Sequence, residues 1–246
     1  MSNSCVITNE EGWYKKALDT DLARPKFAIM NPEITYTLPD YQTQCGCADI
    51  MMHTMERYFV LEDTMEITDK IAQDVMKNVM KYAKILKKDP ENYEARAEIM
   101  WCGSLSHNGL TGCGTCGGDW ATHLIEHELG GMFDVAHGAG LAAVWGSWAR
   151  YVMDEKPERF AQFAVNVMGV KESEDVKSTA LKGIEAVEDF YRTIEMPTNL
   201  KELGIDPTDE QIKDMAMKAT NHDTQQLGAF KKLSAKDLVE IYKAAK

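Results

Sequence analysis

Five residues in two short segments of this 246-residue chain have types and spacings suited to holding a metal ion. The first segment reads Cys45-Gly-Cys47-Ala-Asp49-Ile-Met-Met-His53. On a helix, residues four apart share a face, so this carboxylate and imidazole stand close enough to share an ion. The same spacing also makes ordinary surface pairs. The second segment runs from Gly117-Gly-Asp119 through His123 and His127 to His137-Gly-Ala-Gly140. His123 and His127 are again four apart, and His137 follows the Gly130-Gly131 interruption. Glycines let backbones approach a site closely, whereas the plainer alternative is buried histidines satisfied by hydrogen bonds. Joined, the segments offer one carboxylate and two or three imidazoles. That borderline nitrogen and oxygen set suits Fe(II), Zn(II) or a similar first-row ion rather than calcium or magnesium. With four or fewer protein ligands, such an ion keeps a position for a substrate oxygen and acts as a Lewis acid.

Two other motifs compete for attention. Gly112-Cys-Gly114-Thr-Cys-Gly117 matches the letters of a dinucleotide loop, but no strand is expected before it and the required βαβ unit is missing. Cys113-x-x-Cys116 resembles half of a thiolate zinc site or a redox pair. Its candidate partners, Cys45 and Cys47, are separated by one residue instead of two.

The elements that must position these side chains are helical. Ile71, Val75, Val79, Tyr82 and Leu86 form one apolar stripe that ends before Pro90. Val176, Ala180, Ile184, Val187 and Tyr191 repeat it before Pro197, and Leu238, Ile241 and Tyr242 do so near the end, with Ser234 and Asp237 as an N-cap signature. Helices also fit roughly 47–59, 92–107, 119–131, 138–153, 157–168 and 208–219. Residues 1–45 read as an irregular lead-in, β-prone at Cys5–Thr8 and Phe27–Met30 and punctuated by Pro25, Pro32 and Pro39. Strands are too few and short for a useful sheet. The expected fold is all-α, a multi-helix domain over 46–246 behind that lead-in.

Composition removes several classes of function. Lys and Arg number 27 against 39 Asp and Glu, a formal net charge of −12, so phosphate backbones and anionic membranes repel the chain. The expected partners therefore include no nucleic acid and no membrane. The longest uncharged run, Ile99 to Gly118, carries six glycines and does not suit a membrane span. The opening residues lack a basic stretch followed by an apolar one, so a cytoplasmic setting is expected. Six cysteines in such a chain read as reduced thiols.

The strings GGDWATHLIEHELGGMFDVAHGAGLA, DPENYEARAEIMW and YQTQCGCADIMMHTMERYF closely resemble the iron-containing (group III) alcohol dehydrogenases, nearest their butanol dehydrogenase-like branch. The resemblance runs from SCVITNEE to LGAFKKLSAKDLVEIYKAAK. It implies the C-terminal helical domain of the fold shared with dehydroquinate synthase. It also implies metal-dependent, NAD(P)-linked interconversion of primary alcohols and aldehydes. By that resemblance Asp49, His53, His123 and His137 hold Fe(II) or Zn(II), and His127 is a neighbouring proton-relay or substrate-positioning group. Lys15 would reach the cofactor ribose, Ser4 would lie near it, and Leu38 would pack against the nicotinamide end. Family members place an α/β dinucleotide-binding domain before this region, and its glycine-rich loop is absent here. The small-molecule partner is then an alcohol or aldehyde, and the exposed cleft wall invites a homo-oligomer or a separate dinucleotide-binding chain. The competing expectations are a truncated, non-catalytic metal-binding subunit and a metal-dependent lyase of the same fold. No Arg or Lys occurs between Gly112 and Ala149, which disfavours the phosphate-binding lyase.

Overall fold

A computed structural model describes residues 3–62 and 66–246. The lead-in opens with a hairpin, β1 (Ser4–Asn9) and β2 (Tyr14–Asp19), antiparallel from Ser4 opposite Asp19 to Asn9 opposite Tyr14. Its loop turns through left-handed backbone at Gly12 and Trp13. Cys5–Thr8 is thus in a strand as expected. Its partner Tyr14-Lys-Lys-Ala-Leu-Asp lacks apolar alternation and gave no signal. Phe27–Met30, expected to be β-prone, forms no strand. Phe27 and Ile29 are 80% and 84% exposed, and no described strand pairs with them.

Among the described residues ten α-helices follow: α1 (Asp40–Tyr58), α2 (Glu66–Leu86), α3 (Tyr93–His107), α4 (Ala121–Phe133), α5 (His137–Val152), α6 (Pro157–Asn166), α7 (Val176–Thr193), α8 (Leu200–Leu203), α9 (Asp209–Ala219) and α10 (Ala235–Ala244). The first begins seven residues earlier than its apolar pattern suggests, directly after Pro39, so the Cys-Gly-Cys run lies inside a helix. The single turn α8 is too short to show a period. At the start of α10, Asp237 Oδ2 accepts from Ser234 N at 2.7 Å and from Ser234 Oγ at 2.6 Å, as the cap signature implied. No helix of the described residues is long and apolar enough to cross a membrane.

Helix α5 is apolar nearly all round, from Ala139 to Trp148, and therefore sits in the middle of the core. It packs against α1, α4, α7, α8 and α10. Its approach to α1 depends on Gly138, where a Cβ would stand 2.0 Å from the Cys45 carbonyl oxygen. The obstacle is backbone, so it cannot swing away. Gly138→Ala is expected to force the two helices apart at a cost of about 1–3 kcal/mol. Thermal melting would read this as a drop of about 2–12 °C, and an unchanged Tm would show that the helices have room to separate.

A second tie joins α1 to α2 and α6. Arg159 Nη1 and Nη2 donate to Asp69 Oδ2 and Oδ1 at 2.6 and 2.7 Å, while Nε and Nη2 donate to Tyr58 O at 2.9 and 2.7 Å. The guanidinium also lies 3.6 Å from the Tyr58 ring centre.

Candidate metal centre

The chain gathers three of its six histidines around one carboxylate oxygen. Asp49 and His53, four apart on α1, place Oδ1 and Nε2 3.5 Å apart. From α4, His123 Nε2 lies 3.5 Å from the same oxygen, and from the first residue of α5, His137 Nε2 lies 3.6 Å away. Donors bonded at about 2.1 Å to a shared tetrahedral ion stand about 3.4 Å from one another, so the three edges that meet at Asp49 Oδ1 match such a site, with Asp49, His53 and His123 forming its compact part and His137 joining through Asp49. Asp49 Oδ1 and His123 Nε2 are both buried without a hydrogen-bond partner. Orphaned buried polar atoms are costly and call for an ion or another explanation. The residues therefore fit a first-row divalent cation.

Helix α4 is held firmly while it presents His123. Its flanking residues Trp120 and Asp134 both adopt left-handed backbone, at φ 63° and 51°. Such strain in non-glycine residues persists only where surrounding contacts impose it. Asp119 Oδ1 accepts from Ala229 N and Phe230 N, each at 2.6 Å, tying this end to the loop before α10. Arg57 Nη1 donates to His53 O at 2.9 Å and to Ser106 O at 2.8 Å, and its guanidinium covers the Trp120 ring at 4.5 Å.

Three groups at the centre were not expected from the sequence. His107, the last residue of α3, lies with its ring centre 3.8 Å from that of His53 and its Nε2 3.5 Å from Asp49 Oδ2. Glu56 and Glu126, both buried, meet the Nδ1 atoms of His123 and His137 respectively. The ligating-type atoms group as Asp49, His53 and His123 on one side and Glu126, His127 and His137 on the other. His137 belongs to both neighbourhoods through its two ring nitrogens.

Burial holds the His53 imidazole down to about 2. Burial, then the neighbouring His137, His123, Lys15 and Lys16, bring His127 to about 3, so both rings are neutral. For His123 burial acts the same way, but Glu56 and Asp49 outweigh it and push the imidazole up to about 10. For Asp49 the cost of burial is outweighed by His107, His123 and His53, which hold the carboxyl well below its usual range.

The three residues expected near the cofactor all lie on the lead-in. Lys15 Nζ lies 3.5 Å from Glu126 Oε2, one side chain away from His137. Ser4 is exposed on β1 and Leu38 is 42% exposed ahead of α1. All six cysteines are free, and none belongs to a metal-capable group among the described residues. Burial pushes the Cys47 thiol up to about 12, which makes it inert. The 112–117 run follows no strand and forms turns.

The family model "Fe-containing alcohol dehydrogenase family, C-terminal" matches residues 43–246. The chain is 34% identical over 244 residues to NADH-dependent butanol dehydrogenase A of Clostridium acetobutylicum, covering 99% of this chain and 62% of that protein. It is 32% identical over 242 residues to the NADPH-dependent aldehyde reductase YqhD of Escherichia coli, covering 98% and 61%. The crystal structure of NADH-dependent butanol dehydrogenase A from Thermotoga maritima superposes with a TM-score of 0.93 at 35% identity, over 100% of this chain and 62% of that one. The chain thus spans a little over three-fifths of the length of these relatives. On fold, sequence and the extent of the match, it belongs to the iron-containing alcohol dehydrogenase family and corresponds to the C-terminal region of its members.

Proposed function

We propose that this chain forms the metal-holding part of an NAD(P)-linked dehydrogenase that interconverts primary alcohols and aldehydes. The observation that carries the reading is the convergence of three imidazole Nε2 atoms on Asp49 Oδ1 at 3.5–3.6 Å, with that oxygen buried and unpartnered. The relatives' names, butanol dehydrogenase and aldehyde reductase, support a small alcohol or aldehyde as substrate.

In this reading Asp49, His53, His123 and His137 hold Fe(II) or Zn(II). A bound ion of this kind supplies Lewis acidity to the substrate oxygen. His127, buried with its ring centre 5.6 Å from that of His137 and 6.4 Å from that of His123, is the group placed to relay a proton. Lys15, Ser4 and Leu38 stand on the cofactor side, in the lead-in of residues 1–45, while 46–246 form the metal-binding domain. Most of the NAD(P) site is then supplied by sequence like that which the relatives carry beyond the matched region. Free thiols throughout suit a reducing compartment such as the cytoplasm.

Metal analysis joined to an NAD(P)H-dependent butanal reduction assay tests this reading. The assay is run with the chain alone and with the chain mixed with the separately produced N-terminal portion of a butanol dehydrogenase. The expected result is bound iron or zinc, with turnover only in the mixture. A chain that binds neither metal after reloading overturns the proposed centre, and turnover by the chain alone overturns the divided cofactor site.

A further inference from the structure

Two buried carboxylates touch the proposed ligand histidines from outside the four-donor set, Glu56 at 1% and Glu126 at 0% exposure. Removing a carboxylate from water is expensive unless charge and hydrogen bonds compensate, so each needs a reason to be there. Glu56, on α1, reaches across to α4. Its Oε1 accepts from Thr122 N at 2.8 Å and His123 N at 3.2 Å, and its Oε2 meets His123 Nδ1. Trp120, at the N-cap of α4, offers no side-chain cap. Glu56 therefore caps α4 from another helix and holds the ring of its histidine with the same carboxylate. Glu126, on α4, meets Nδ1 of His137 at the start of α5 and also receives Lys15 Nζ. The sequence repeats a pattern here: His53-x-x-Glu56 and His123-x-x-Glu126. Each glutamate serves the histidine of the next ligand-bearing helix rather than its own.

We propose that Glu56 and Glu126 are positioning residues that set the tautomers of His123 and His137. By accepting the Nδ1 proton, each carboxylate leaves the Nε2 lone pair facing Asp49, the arrangement that metal-binding histidines require. The proposal rests on the metal-centre reading above. Co(II) titration by absorbance, on the unaltered chain, E56Q and E126Q, tests it. At 56 the amides of Thr122 and His123 claim the glutamine oxygen, so its N–H faces His123 Nδ1 and puts the proton on Nε2; at 126 the glutamine loses the carboxylate charge that holds the Nδ1 proton of His137. Each variant should bind Co(II) about 10–100-fold more weakly and show an altered d–d spectrum. A purely structural role would lower the Tm and leave affinity and spectrum unchanged, which would overturn the proposal. If E56Q does not fold, E126Q decides alone, since Glu126 caps no backbone amide of α4. Failure of the unaltered chain to take up Co(II) would instead sink the metal-centre reading. Tight binding by all three proteins would sink only the tautomer proposal.

Discussion

Asp49→Ala abolishes retention of Fe(II) or Zn(II), and His123→Ala does the same, as measured by metal content after dialysis. Asp49 is the hub: its Oδ1 is the atom from which His53, His123 and His137 are each 3.5–3.6 Å distant. It is also the one anion among the proposed donors, so its loss removes a ligand and the charge that offsets the ion. Loss of a group that merely orients a ligand costs about 10–100-fold in affinity, and loss of the hub exceeds that. His127→Ala provides the contrast, because it keeps the donor set intact and should keep the metal. An Asp49→Ala protein that holds metal as well as the unaltered chain would remove Asp49 from the donor set and the assignment with it.

Arg159→Ala destabilises the fold by about 3–5 kcal/mol, the loss seen when one partner of a buried ion pair is removed. Its side chain is 4% exposed and that of Asp69 is 9% exposed, so water does little to rescue the carboxylate left behind. The truncation also strips the Tyr58 carbonyl of two donated hydrogen bonds and the Tyr58 ring of its cation. For a chain of this length the Tm should fall by about 6–20 °C. Replacing Arg159 and Asp69 together by Met and Leu should recover much of the loss, because no uncompensated charge then remains. A single Arg159→Ala variant that melts within a degree of the parent would show that Asp69 finds another partner.

The helices were legible where an apolar stripe ran for several turns. Ile71 to Leu86 lies within α2 and Val176 to Tyr191 within α7. No one-sided stripe marks α5, whose apolar residues surround the axis, yet the helix expected at 138–153 is present at His137–Val152; the first turn of α1 was missed, because Tyr41, Thr43 and Gln44 carry no apolar signal. Phe27–Met30 shows the opposite failure, since its residue types favour a strand that local sequence cannot furnish with a neighbour. At the centre, residue type and spacing singled out Asp49, His53, His123, His127 and His137 together, and the choice of His137 rather than His127 as the fourth donor came from the family resemblance. His107 stood alone, with no partner at helical spacing except through the fold. Glu56 and Glu126 looked like two of many acidic residues in an acidic chain. Their His-x-x-Glu repeat was available in the sequence, but its meaning depends on the contacts between α1 and α4 and between α4 and α5.

The chained carboxylates also impose an order of assembly. His137 follows His53 by 84 residues in the sequence, and during synthesis the two helical ends of that span leave the ribosome at different times. Until α4 has been made, Glu56 has neither the amides of Thr122 and His123 nor an imidazole to meet it; Glu126 has Lys15 from the start but lacks its imidazole until α5 follows. A nascent chain that ends before residue 121 carries only Asp49 and His53 of the proposed donors, and the full set exists only once His137 has been added.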